Sequence, residues 1–334
     1  MAYCLASKTP LYAYTNRGTM VSWPDVILGD PQRYGYIAHA SKLAMQRRRF
    51  VLAALSAAGV ALRAQSAPAD RFDIVYPHYQ PDDRARAAFP LAVLDLAMKA
   101  AGVEYVARQA DVLMERGRAL AELAGHGNAI NLLWTSMDVE AERGLPVVRI
   151  PINRGLIGYR VFIIRKDRQV DFDRVQSLSD LRTLTGGQGL GWVDTEIMRA
   201  ARLNIETVPY ETVFDMIQGG RLDYFPRGLV EAFAELDEPR HRERNLVVEK
   251  RLLLKYRSDL IFYVSAEHES LARTINRGLV KAYLDGSYMR LFNAHPYIQD
   301  ALARADLANR KVFVLDNPYL SEGDRQIPDR YWMG

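Results

Sequence analysis

The residues able to do chemistry in this 334-residue chain are scattered carboxylates, arginines and aromatic rings. Beyond the front segment the histidines are His78, His126, His241, His268 and His295, far apart and without metal-ligand spacing, so no metal site is expected. The only cysteine is Cys4. The body therefore has no disulfide, thiolate metal site or thiol nucleophile. No G-x-S-x-G elbow occurs. The glycine-rich Gly186 to Gly191 lacks the Gly-Lys-Ser/Thr ending of a phosphate loop and reads as the turn before a strand. No cofactor is expected. What remains is the chemistry of holding a molecule. Asp194 and Thr195 open a helix, where free N–H groups and the dipole favour acceptors or anions, and they read equally as caps or ligand contacts. Trp134, Trp192, Tyr76 and Tyr79 lie near strand ends, placed either to line a cleft or to pack a core. Asp138 and Glu140 are a carboxylate pair open to acid–base work. On local sequence alone, Arg143 in the charged run from Glu140 reads as a solvated side chain.

The elements that must position these groups alternate. Phe72 to Val75 is an apolar strand. Residues 84–101 carry Phe89, Val93, Leu94, Ala97 and Met98 at helical spacing, with Gly102 as stop signal. A strand over 103–108 and a helix near 113–124 follow, then apolar runs at Ile130–Trp134, Val147–Ile152 and Gly158–Ile164. A second series then alternates helices over 178–184, 194–203, 211–218 and 228–236 with strands over 188–192, 205–208 and 222–225. Asp259–Val264 is a further strand, 268–286 a long helix, and shorter helices run to about 310. This order predicts an α/β fold with mainly parallel sheets. No loose Pro/Ser linker divides it, so the chain is expected to cross between two lobes through a pair of hinge strands.

The net charge of +4 is confined to the front of the chain. Residues 1–69 hold eight Lys and Arg against Asp25 and Asp30, leaving 36 basic and 38 acidic residues behind them. A nucleic-acid partner is thereby excluded as an expectation. From Met45 the sequence MQRRRFVLAALSAAGVALRAQSAPAD has a basic head, a twelve-residue apolar run and a small-residue tail. This is the anatomy of a signal peptide, too short to span a bilayer, with cleavage near Ala69. Arg47, Arg48, Arg49 and Phe50 fit a twin-arginine signal. Residues 1–44 would bury that signal inside the chain and are expected to be a non-native upstream extension, residues 45–69 being the signal peptide.

Four segments carry a resemblance that covers residues 70–295. Thr135-Ser136-Met137-Asp138-Val139-Glu140-Ala141-Glu142-Arg143 is the first, and Asp180-Leu181 through Gly189-Leu190-Gly191-Trp192-Val193-Asp194-Thr195 the second. Gln218-Gly219-Gly220-Arg221-Leu222-Asp223 and Ser270 through Tyr288 are the third and fourth. In this order they resemble the type II periplasmic substrate-binding proteins, specifically the polar-amino-acid family of ABC transporters. The resemblance implies a two-lobed fold with two sheets, helices on both faces and two hinge strands. Lobe 1 is expected over 70–158 plus 259–334 and lobe 2 over 159–258. It further implies that Arg143 grips a ligand carboxylate and that Ser136 lies on the ligand. Asp138 stands where the family places a second hydroxyl, and would need a cationic neighbour. The family's ammonium-binding aspartate falls at Gly228, beside Arg227, which favours an anionic group there. The implied function is capture of a small acid-bearing molecule in the periplasm by a monomer without catalysis, for an importer's permease. A sensory module reporting to a membrane receptor is an alternative. A dehydratase-like or lytic-transglycosylase-like enzyme on the same fold is another.

Overall fold

The computed structural model describes residues 71–79, 84–125 and 129–334, together with the backbone of two short strands near the front. Those strands, β1 (Ala13–Tyr14) and β2 (Met20–Val21), pair antiparallel within a unit covering Met1–Ser66. Residues 1–69, where an upstream extension and a signal peptide are expected, otherwise lie outside the described residues. The second unit, Ala67–Gly334, holds everything that follows.

Its first elements are β3 (Arg71–His78), α1 (Arg84–Ala101), β4 (Glu104–Leu113), α2 (Arg116–Ala124), β5 (Leu132–Ser136) and β6 (Val147–Val148). The alternation of β-branched runs with helical spacing had marked most of these, and α1 has the bounds that its apolar spacing and Gly102 dictate. After β7 (Tyr159–Arg165) come α3 (Gln169–Asp173), α4 (Leu178–Leu181), β8 (Thr185–Gly189), α5 (Val193–Ala200), β9 (Asn204–Val208), α6 (Tyr210–Gln218), β10 (Tyr224–Gly228) and α7 (Leu229–Asp237). The chain continues through β11 (Leu246–Val248), β12 (Leu252–Lys255), β13 (Leu260–Val264), α8 (Glu269–Leu284), α9 (Ser287–Ala294), α10 (Pro296–Ala305), β14 (Lys311–Val314) and α11 (Glu322–Arg325). Among the described residues no helix is long and apolar enough to cross a membrane.

Two sheet systems result. The first half holds the parallel pair β3-β4 and the three-stranded sheet β5-β13-β6, tied together by Asn131, whose side chain bonds the main chain of Val75 and Asp73. The second half is a seven-stranded sheet in the order β14-β12-β7-β10-β8-β9, with β11 also on β7. Contrary to the mainly parallel expectation, both halves are mixed: β7 runs antiparallel to β10, β11 and β12, and β13 antiparallel to β5 and β6. A strand that enters a sheet from another half has no crossover helix of its own to set it parallel. The C-terminal segment also divides differently from the expected lobes, because Lys311–Val314 pairs with Leu252–Lys255 of the second sheet. One apolar core runs through both halves and includes Ile74, Leu132 and Ile261 as well as Val161, Phe214 and Phe225. A smaller cluster around Phe162, Phe172 and Tyr224 fills the other face of the seven-stranded sheet.

The chain first crosses between halves at 153–158 and returns at 256–259, and these two crossings lie against each other. The Tyr256 N–H donates to the Gly158 carbonyl at 3.1 Å, and a Cβ on Gly158 would stand 2.0 Å from the Tyr256 carbonyl oxygen, so only glycine fits. Asp259, wholly buried, accepts from the main-chain N–H of Asn153 at 2.9 Å and of Gly155 at 2.6 Å, and from the Asn153 amide at 3.0 Å. Burial pushes its carboxyl up to about 7 against these donors. Removing the acceptor leaves buried N–H groups unmade, so Asp259→Ala is expected to cost on the order of 3 kcal/mol in urea unfolding.

His241 follows α7 and stacks on Phe214 with ring centroids 4.0 Å apart, neither ring nitrogen having a hydrogen-bond partner. Burial, then Arg240 and Arg244, lower its pKa from 6.5 to about 4. The folded protein keeps the ring neutral while the unfolded chain binds a proton below about 6.5, so stability falls as pH drops from 6.5 toward 4. His241→Phe is expected to flatten the melting temperature across that window; an unchanged slope would contradict the neutral ring.

Candidate functional site

A cavity of about 210 Å³ lies where the two halves meet. From the first half, Tyr79 beyond β3, Arg86 on α1, Arg116 at the start of α2, and Trp134 and Ser136 on β5 reach it. The second half supplies Arg160 on β7, Trp192 and Asp194 at the start of α5, Tyr210 on α6, Arg227 on β10 and Glu231 on α7. The crossing contributes Asn153 and Ile157, and α10 contributes Tyr297.

The polar wall is built from guanidinium–carboxylate pairs. Arg227, 4% exposed, donates to both carboxylate oxygens of Glu235, which is fully buried, and pairs with Glu231 at 3.1 Å. Burial opposes the charge on Arg227, yet Glu231 and Glu235 hold its pKa well above the ordinary arginine value. Burial likewise opposes charge on Glu235, and Arg227 prevails, keeping that carboxyl below its usual value. The Trp192 ring lies 4.6 Å from the Arg227 guanidinium, so the pair is roofed by an aromatic face. A second pair joins Arg160, 1% exposed, to Asp194, whose same oxygen also accepts from the Tyr256 hydroxyl at 2.6 Å. Arg160 is raised above its ordinary value by Asp194, Tyr256 and Glu231 despite burial.

Arg160 differs from its neighbours in what it leaves unmade. Its Nε and Nη1 are buried and donate no hydrogen bond, Glu231 standing 3.7 Å from Nη1 as an ion pair only. Thr195 Oγ1, behind Asp194, is also buried without a partner. Buried donors of this kind call for an acceptor, and Arg160 is itself one of the residues that line the cavity.

Of the residues singled out in the sequence, Trp134, Ser136, Trp192, Asp194, Arg227 and Tyr79 line the cavity. Tyr76 stands behind, its ring 5.4 Å from Trp134, and Thr195 is buried one residue beyond Asp194. Asp138 acts on the wall through Arg116, which it pairs at 3.0 Å. Arg143 lies apart. Its side chain is 76% exposed and pairs with Glu140, three residues back in the same turn, where Ala141 takes the inward position. The place of a carboxylate at Gly228 is filled in space by Glu231, whose Oε2 accepts from the Gly228 N–H at 3.0 Å. Arg86, Arg116 and Arg160 were missed. Arg160 is the one charged residue in the run Gly158–Ile164, and Arg86 sits three residues before Phe89 on the core-facing side of α1; a charge in such a position demands a buried partner.

No protein-family model matches the chain, and no curated protein does. Solved structures similar to it include substrate-binding proteins. A Salmonella typhimurium periplasmic binding protein with high arginine specificity is 15% identical, with a TM-score of 0.46 over 66% of this chain and 96% of that one. A substrate-binding protein of an amino-acid ABC transporter from Streptococcus pneumoniae, bound to L-arginine, is 13% identical, with a TM-score of 0.47 over 70% and 94%. A histidine kinase sensor domain with similarity to periplasmic binding proteins is 14% identical, with a TM-score of 0.48 over 74% and 98%.

Because Glu235 and Arg227 are both buried, breaking one side leaves the other uncompensated. Glu235→Gln is expected to lower unfolding stability by about 3–5 kcal/mol, whereas the same change at exposed Glu140 should cost less than about 0.5 kcal/mol.

Proposed function

We propose that this protein is a solute-binding protein that captures a small acid-bearing molecule between its halves, with Arg160 as the recognising cation. The observation that carries the reading is a buried guanidinium in the cavity wall with two nitrogens that lack acceptors. A carboxylate supplies acceptors in the plane that a guanidinium demands. The rings of Trp134, Trp192 and Tyr79 supply apolar contact around it. The cavity is smaller than the roughly 300–1,000 Å³ of drug-sized sites, which suits a molecule the size of an amino acid or a simple organic acid.

The other cations of the wall are already neutralised: Arg227 by Glu231 and Glu235, Arg116 by Asp138, and Arg86 by Glu235 at 3.7 Å. Arg160 is paired as well, with Asp194, but it keeps two buried nitrogens without acceptors, and these are what is left to the ligand. The signal-peptide anatomy of residues 45–69 supports an extracytoplasmic setting. The four-segment resemblance supports delivery to an ABC-type permease, without turnover of the bound molecule.

The test is a thermal-shift panel of α-amino acids, their des-amino acids, dicarboxylates and short peptides. A bound acid at one hundred times its dissociation constant adds about 2.7 kcal/mol of stability. Arg160→Lys is expected to weaken that acid at least tenfold while melting cooperatively on its own. Undiminished binding by the variant, or shifts only with cationic probes, would overturn the assignment. Chromatography of the recovered ligand separates capture from catalysis, since a binder returns it unchanged.

A further inference from the structure

We infer that Arg116 is a clasp that holds the two halves closed over the cavity, a positioning residue and not the ligand's counter-ion. Its consequence for ligand release rests on the binding function proposed above, while the clasp itself does not. Arg116 stands at the first turn of α2, and all three of its side-chain nitrogens already donate. Nε bonds Thr135 Oγ1 at 2.8 Å and Nη2 bonds Asp138 Oδ2 at 3.0 Å, both within the first half. Nη1 bonds the main-chain carbonyl of Gly191 at 3.0 Å, in the second half.

The division of these bonds sets the role. Two acceptors on the β5 side fix the guanidinium plane, and Asp138 neutralises its charge, so the third nitrogen is presented to the opposite half in a set direction. The acceptor there is equally fixed. Gly191 has φ +70°, a conformation that favours glycine, and the flanking Leu190 N–H is bonded to the Val208 carbonyl at 3.2 Å. The next residue is Trp192, whose ring roofs Arg227 and lines the cavity. One hydrogen bond therefore ties the first half to the loop that carries a wall of the site. A main-chain carbonyl is recognised whatever the ligand, which separates closing from selecting.

Hydrogen exchange on the full chain tests this, first with no ligand. Arg116→Gln is expected to raise amide exchange across residues 189–195 about tenfold while leaving β12 and β13 unchanged; Asp138→Asn should give a smaller rise in the same segment. Should Arg116→Gln fail to fold, Arg116→Lys keeps the charge but loses the fixed fork, and is expected to show the same local rise. Whichever acid probe the wild type binds should then leave Arg116→Gln about tenfold faster with its association rate little changed. Unaltered exchange in residues 189–195 would overturn the clasp. Lost binding with unaltered exchange would make Arg116 a ligand contact instead. If the wild type binds no probe, the binding function fails alone, because the exchange measurement still decides the clasp.

Discussion

Placing several guanidinium groups in one buried wall is permitted only if each meets a carboxylate within the same wall, and this requirement organises the second half of the protein. Arg227 with Glu235 and Glu231, and Arg160 with Asp194, span β10, α7, β7 and α5. Each pair joins two elements across the wall, so that neither charge is left buried without its counter-charge. The pairs thus set the register between sheet and helices where it matters for the cavity. Tyr256 extends the second pair into the crossing, through its hydroxyl on Asp194.

The crossing depends on the opposite chemistry. Asp259 is a single carboxylate that gathers N–H groups and has no cation beside it among its hydrogen-bond partners. It replaces a strand ladder where the chain leaves one sheet for the other. The wall is held by charge against charge, and the pivot by charge against backbone dipoles.

Much of this was legible in the sequence because local pattern and tertiary role coincide there. The spacing of Phe89, Val93 and Ala97 fixed α1, and alternating strand and helix signals gave the α/β series. Trp134, Trp192 and Asp194 stood out because strand ends and helix starts face clefts in such folds, and Arg227 because the resemblance placed it beside the family's ammonium-binding position. Two kinds of feature were not legible. Strand partners depend on three-dimensional neighbours, so β14 joined the second sheet and β7 ran antiparallel without any local signal. Which cations line the cavity could not be chosen by motif alone. Arg143 has the motif and points to solvent, whereas Arg160 sits in an apolar strand whose burial is set by β10 and β12 on either side.

The contact between Gly158 and the Tyr256 carbonyl has one further consequence. Where two main chains touch with no side chain between them, a torsion there displaces no side chain at the contact itself, and only the apolar core that the halves share has to follow. The same bareness makes the spot intolerant of sequence drift. A single methyl group at position 158 would act as a wedge, prising the sheets apart from within while every residue of the cavity stayed intact.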